Sequence, residues 1–208
     1  MYDILIVGAG GFGREVYLWA KESFPDNQYK IKGFLDDDPK VLNNYNVEIK
    51  VIGSINNYEV KKNDRFIIGI GNVEIKKQIV KKLEVKNLQF LTLIHPTAIV
   101  ANTAKIGQGV IICPFCLVSD NVELDDFVMM NIYSSCGHDA KVGRYCILSP
   151  YATINGFGIL EDEVFLGTHT TVIPYKKVGY KSKISANSVV MRDVPPKRMV
   201  FGVPGKAV

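Results

Sequence analysis

From Val100 to Val190 an aliphatic side chain recurs at every sixth position. The column reads Val100, Ile106, Ile112, Val118, Leu124, Met130, Cys136, Val142, Leu148, Ile154, Leu160, Leu166, Val172, Val178, Ile184, Val190. Only Met130 and Cys136 depart from Val, Ile and Leu. Those three types fill 59 of 208 positions, so composition alone does not produce the column. A second column four residues on, from Ala104 and Val110 to Ser182 and Ser188, is nearly all small. A period of six fits neither the 3.6 of a helix nor the 2 of a strand. It fits a triangular parallel β-solenoid. Each hexad makes one flat side and one corner, with the aliphatic residue inside and the small residue at the turn. Three hexads close one coil, and equivalent positions of successive coils stack at roughly 4.8 Å. One coil cannot bury its aliphatic side alone, whereas stacked coils bury it continuously. About five coils run without an inserted loop. Lys176 is the misfit of the small column; a bulge near Pro174 or a neighbouring partner would account for it.

The same register places the cysteines. Cys113-x-x-Cys116 spells a zinc or redox motif. It has no second pair and no His beside it, and the coil points its two side chains in different directions. Cys116, Cys136 and Cys146 fall on inward columns, where a thiol serves as a small hydrophobe. No metal site is expected.

Residues 1–94 read as a separate small α/β module, and residues 95–208 as the solenoid with a C-terminal tail. Residues 3–7 form a buried strand. Gly8-Ala9-Gly10-Gly11-Phe12-Gly13 follows, then a helix from Arg14 to about Ser23. Strand, glycine turn and helix together are the context a G-x-G-x-x-G needs to hold a phosphate at a helix N-terminus. A second strand, Lys30 to Leu35, ends in Asp36-Asp37, where a ribose or base would be bound. A third runs from Arg65 to Ile70, then a helix to about Leu83, then a strand from Leu88 to Leu93. A module of this length makes one nucleotide-binding half and falls short of a two-half NAD fold. The glycines alternatively build only a tight turn.

Charge and hydropathy exclude other classes. The net charge is +4 and the lysines are dispersed, without the basic cluster and interleaved aromatics of a nucleic-acid surface. No apolar run approaches the roughly 18 residues of a membrane helix. Met1-Tyr2-Asp3 carries no basic leader. A cytoplasmic protein is the expectation.

The order Gly8-x-Gly10-x-x-Gly13, Gly33-Phe34-Leu35-Asp36-Asp37, His95-Pro96-Thr97-Ala98, the hexads, and Gly202-Val203-Pro204-Gly205-Lys206 spans nearly the whole chain. It closely resembles the bacterial sugar acyltransferases of the NeuD/PglD type. The resemblance implies a Rossmann-like domain followed by a left-handed β-helix, a hand opposite to the usual crossover. It implies a homotrimer that binds acetyl-CoA between adjacent β-helices, with a nucleotide sugar as acceptor and polysaccharide biosynthesis as the setting. Carried over by motif, His138 is the catalytic base with Asp139 beside it. Gly156 offers the backbone amide to the thioester, and Asn131 is the family Asn upstream of the His. Gly8, Gly10, Gly11, Gly13, Asp36 and Asp37 form the nucleotide-sugar site. Thr168 and His169 lie near the CoA groove, and Lys206 is a phosphate contact. Many members carry a second His a hexad and a half after the first; here that position is Ile147.

The residues themselves support this chemistry. His138 lies two positions past the inward Cys136 and therefore faces outward. Asp139 is placed to orient its ring. Gly156 is one full coil on, so it stacks against His138. His138 would take the proton of an attacking amine or hydroxyl, and the Gly156 N–H would meet the oxyanion. His95, before Pro96, reads as a packing or capping residue. A zinc-dependent solenoid of the γ-carbonic anhydrase type would need three His. His138 and His169 are separated by one coil and most of the next, so they do not stack. The expected function is acetyl-CoA-dependent N-acetylation of a nucleotide-linked 4-amino sugar. O-acetylation of a sialic acid-type sugar, or a non-catalytic sugar-nucleotide scaffold, stand as alternatives.

Overall fold

The computed structural model describes residues 1–84 and 88–207. The chain forms two compact units, Met1–Leu93 and Ile94–Val208.

The first unit is built from β1 (Tyr2–Val7), α1 (Gly11–Ser23), β2 (Tyr29–Leu35), β3 (Val51–Gly53), β4 (Asp64–Ile68) and α2 (Val73–Glu84). The sheet order is β3-β2-β1-β4 and every pair is parallel. Ile4 to Val7 are fully buried in the central strand, which is why they read as an unbroken apolar run. Helix α1 starts at Gly11, ahead of the expected Arg14, because the glycine turn itself supplies the first helical turn: the Arg14 N–H donates to the Gly10 carbonyl at 3.0 Å. Strand β4 ends at Ile68, before the expected Ile70, where the Gly69 N–H turns back to the Val7 carbonyl at 2.8 Å. The expected strand from Leu88 to Leu93 is not formed. Phe90 makes a single parallel bridge to Phe66 of the short strand β4, and only Leu93–Ile94 is a strand. Strand β3 has no counterpart in the sequence pattern, because so short a strand shows no alternation.

A partly buried ion network ties the middle of β2 to the N-terminal ends of β1 and β4. Lys32 Nζ donates to Asp3 at 3.0 Å, Asp64 at 3.3 Å and the Tyr58 hydroxyl at 3.4 Å. Asp64, its side chain fully buried, also accepts from the Tyr58 hydroxyl at 3.0 Å and the Lys61 N–H at 2.7 Å. Burial works against the Lys32 charge. The bonds to Asp3, Tyr58 and Asp64 and the Asp64 charge outweigh it and hold the amine above the usual lysine range.

The second unit is the solenoid. Its strands are very short and each pairs in parallel with the equivalent strand of the next coil: Ser135–Cys136 with Thr153–Ile154, Lys141–Val142 with Ile159–Leu160, Ile147–Leu148 with Phe165–Leu166. From Ile112 to Val190 every residue of the aliphatic column is at most 2% exposed. Val100 and Ile106, in the first coil, are half-buried.

Each corner carries one residue in the left-handed backbone region. These fall at every sixth position from Gly109 to Asn187, and all but Gly109 have a side chain, with φ between 52° and 63°. Such a residue costs about 1–2 kcal/mol. Each hexad also buries one aliphatic side chain, worth about 1.5–3 kcal/mol, so burial outweighs the corner. Many corner residues are aromatic, and they stack coil on coil. Phe115, Tyr133, Tyr151 and His169 form one such ladder, with centroids 4.7–5.0 Å apart. Phe157 and Tyr175 form another at 4.9 Å.

The three faces differ outside. One carries Lys105, Glu123, Lys141, Ile159 and Lys177, with ion pairs from Glu123 to Lys105 at 3.0 Å and to Lys141 at 3.4 Å. The second carries Ile111, Met129 and Ile147, all buried. The third carries Ile99, Leu117, Ser135, Thr153, Thr171 and Val189, with no charge among them.

Replacing Lys32 by Met leaves Asp64 buried without its cation but with its Tyr58 and Lys61 donors, and urea unfolding at pH 7 should show a loss of roughly 1–3 kcal/mol. The amine is favoured as a cation in the folded state. Its contribution is therefore complete below the unfolded lysine pKa of about 10.4 and is lost as pH rises beyond it. The gap between K32M and the parent protein should narrow in that alkaline range and stay constant through neutral pH, where the carboxylates remain charged.

Candidate active site

The strand Ser135–Cys136 ends in the corner Gly137-His138-Asp139. Two positions past an inward residue, the His138 side chain leaves the prism and is 59% exposed. Asp139 is the left-handed residue of this corner, φ 60°, and that turn brings its Oδ2 to 2.9 Å from His138 Nδ1. A carboxylate only accepts, so Nδ1 carries the proton and donates it. The Nε2 lone pair then faces out. Gly156, one coil on, lies directly against the ring: a Cβ there would stand 2.7 Å from both Nε2 and Cε1 of His138. The Gly156 carbonyl accepts from the Tyr175 N–H at 3.1 Å, while its own N–H meets no acceptor among the described residues. Phe157 stands edge-on to the imidazole at 5.2 Å.

Asn131, Thr168 and His169 belong to the neighbouring corner. Asn131 precedes the strand that His138 follows, and its Oδ1 accepts the Ile132 N–H at 2.8 Å. His169 is exposed and stacks on Tyr151 at 4.7 Å, and Thr168 beside it is half-buried. Within one chain the structure does not bring these three residues into contact with His138. His95 is 4% exposed, and its Nδ1 accepts the Thr97 N–H at 3.2 Å, which fits the capping role expected of it.

In the first unit the glycines divide into two kinds. Gly8 has φ 94°, a conformation that favours glycine. A Cβ on Gly13 would collide with the Gly8 carbonyl oxygen. Both are required by the turn itself. Gly10 and Gly11 are exposed, and nothing lies within 4 Å of where their side chains would be. Helix α1 has no side-chain cap and no acidic residue in its first turn, so no side chain takes up its leading N–H groups. Asp36 Oδ2 accepts the Ala9 N–H at 2.7 Å, and Asp37 Oδ1 accepts the Ile55 N–H at 3.0 Å.

Residues 3–83 match the family profile of the PglD N-terminal domain. Over its whole length the chain is similar to the acetyltransferase domain of PglB from Neisseria gonorrhoeae. In that protein's complex with acetyl coenzyme A the identity is 27% and the TM-score 0.91, with 99% of this chain and 98% of that one covered. The chain is an acyltransferase whose residues 3–83 form a PglD N-terminal domain. GDP-perosamine N-acetyltransferase of Escherichia coli is 26% identical over 177 residues, 80% of this chain and 76% of the relative. PerB of Caulobacter crescentus, solved with CoA and GDP-perosamine, is 24% identical with a TM-score of 0.90 over 100% of this chain and 98% of that one, and it shares the fold.

In this acyltransferase Ile147, where many members carry a second His, is 2% exposed in a strand between Met129 and Phe165. The position is filled by packing. All four cysteines are free and buried; burial pushes the Cys116 and Cys136 thiols up, away from the reactive thiolate. Cys113 and Cys116 are not bridged, and no group of three metal-binding side chains occurs among the described residues. Lys176 needs no bulge: Lys177–Val178 pairs in register with Ile159–Leu160, and Tyr175 turns the corner at φ 61° as the others do. Lys176 stays half-buried in the small column.

Lys206 lies in a short strand, Lys206–Ala207, antiparallel to Met199–Phe201. It borders a cavity of about 900 Å³ at the C-terminal end of the solenoid, with Arg192, Val190, Val194 and Pro204 also in the wall. Arg192, like Phe157 beside His138 and Tyr175 stacked on Phe157, is not singled out by any sequence motif. The two aromatics belong to a third six-residue column, the corner residues, which the sequence displays as a recurrent Phe or Tyr.

Proposed function

We propose that this acyltransferase moves the acetyl group of acetyl-CoA directly to the amine of a nucleotide-linked 4-amino sugar, with His138 as base. The observation that carries the reading is the triad of His138, Asp139 and Gly156: an oriented imidazole with an open Nε2, lying against a glycine whose N–H has no partner among the described residues. The amine nitrogen attacks the thioester carbonyl carbon while Nε2 takes its proton. The oxyanion forms against the Gly156 N–H. Its collapse forms the amide and expels the CoA sulfur, which takes the proton from the imidazolium. Asp139 holds the ring and stabilises its transient charge. No enzyme nucleophile is needed, in keeping with the buried thiols.

The nucleotide is proposed to lie on the turn of Gly8, Gly10, Gly11 and Gly13. The two open glycines support this, because no protein atom explains them, and uncapped helix N–H groups suit a diphosphate. The similarity to GDP-perosamine N-acetyltransferase supports a nucleotide-linked amino sugar as acceptor rather than a sialic acid hydroxyl. Acetyl-CoA as donor is supported by the acetyl coenzyme A complex of the gonococcal PglB domain. The cavity bounded by Lys206 and Arg192 is proposed to take the phosphates of CoA.

The assembly is proposed to be a homotrimer. The candidate site residues split between two corners, His138, Asp139 and Gly156 on one, Asn131, Thr168 and His169 on the other. The face between those corners is the uncharged one, with Ile99 68% and Leu117 44% exposed. Phe115, Tyr133 and Tyr151 border it, and because their rings are stacked they present edges, which suit packing against another chain better than stacking with a ligand. A second copy on this face would join one corner's residues to the other's. We place the reaction in the cytoplasm, in the supply of polysaccharide building blocks. No helix among the described residues is long and apolar enough to cross a membrane.

With acetyl-CoA and GDP- or UDP-linked 4-amino sugars, His138→Ala should lower thiol release by about 10²–10⁴-fold, with the trimer intact; near-parental rates would refute the base assignment. In sedimentation velocity the parent should run as three 23.2 kDa chains. Leu117→Glu should run as a monomer and lose transfer activity.

A further inference from the structure

We infer that Asp36 serves the nucleotide site as a positioning residue: it fixes the glycine turn through its backbone and does not itself read the ligand. This rests on the proposed nucleotide site and assigns one of its residues a different task from the ribose contact expected at the end of β2.

Both Asp36 oxygens are already engaged. Oδ2 accepts the Ala9 N–H at 2.7 Å, and Oδ1 accepts the Asp38 N–H at 3.0 Å. The Gly8 N–H donates to the Leu35 carbonyl at 2.8 Å. Two successive amides of the turn, Gly8 and Ala9, are therefore held by two successive residues at the end of β2. That clamp leaves the next two residues, Gly10 and Gly11, facing open space. Asp36 is in turn held from behind, its own N–H donating to the Gly53 carbonyl at 3.1 Å. A free carboxylate beside an incoming diphosphate would repel it. Here the charge is spent on N–H donors within the protein. Asp37 is used in the same way, its carboxylate taking the Ile55 N–H at 3.0 Å and Asn56 Nδ2 at 3.2 Å, which fastens the segment after β3.

Asp36→Asn swaps one acceptor oxygen for an NH2 that must face a backbone N–H. Losing a charge-assisted bond of this kind should weaken nucleotide binding by roughly 10–100-fold. The test is calorimetric binding of GDP, UDP and their 2′-deoxy and 2′,3′-dideoxy forms to the intact enzyme and to D36N. A positioning role predicts that ribo and deoxy forms weaken by the same factor. It also predicts a KM for the nucleotide sugar that rises by that factor with kcat little changed, and faster amide exchange at Ala9 in the ligand-free variant. If D36N weakens only the ribo forms and erases a parental preference for them, Asp36 reads the sugar and the inference is overturned. Unchanged exchange at Ala9 overturns it as well. Failure of the parent to bind any of the nucleotides would bring down the nucleotide site and this role together; a ribo-only loss brings down this role alone. Asp36→Glu keeps the charge but overreaches the Ala9 amide, and it carries the same expectations should D36N not fold.

Discussion

The inward aliphatic side chains of the solenoid from Ile112 to Val190 are fully buried because coils stack on both sides of their own. This constraint fixes the backbone register to whole coils, since a slip of one position would turn the entire column out to solvent. It also explains why the corners tolerate left-handed side-chain-bearing residues at nearly every hexad. The burial gained per hexad exceeds the corner's cost, and the stacked aromatics add about 0.5–1.5 kcal/mol per pair. The candidate catalytic corner is a by-product of the same register. Strand pairing puts Gly156 against the ring of His138, and the left-handed turn at Asp139 bends its carboxylate back to Nδ1.

The first unit works by a different division. Gly8 and Gly13 satisfy the turn's own geometry, one by its positive φ and the other by the closeness of helix and strand. At Gly10 and Gly11 no protein atom lies where a side chain would stand, which supports the proposal that this surface is shaped for a ligand. Asp36, clamped to Ala9, keeps that surface in place.

The solenoid is legible in the sequence because its burial is strictly periodic: one column, repeated at six, specifies the coils, the inward cysteines and the outward His138. The glycine turn is legible because each glycine has a fixed offset from a strand and a helix. Less regular features do not show. Helix α1 begins inside the glycine turn, where propensity argues against a helix but backbone bonding to Gly10 allows it. The region around Phe90 has strand-like composition, yet among the described residues its strand pairing is a single bridge, to Phe66 of the short strand β4. The engagement of Asp36 and Asp37 by backbone donors depends on loop geometry that no pattern encodes. The aromatic corners are visible as a third column, although aromatic residues rarely signal a left-handed turn.

The chemistry depends most on the state of one imidazole. Long-range proton–nitrogen NMR on ¹⁵N-labelled protein resolves the tautomer of each of the three histidines, and His138 is assigned by its absence in H138A. A proton on Nδ1, held by Asp139, with an unprotonated Nε2 is the predicted result. A neutral ring with its proton on Nε2 would leave no base facing the acceptor and would contradict the mechanism.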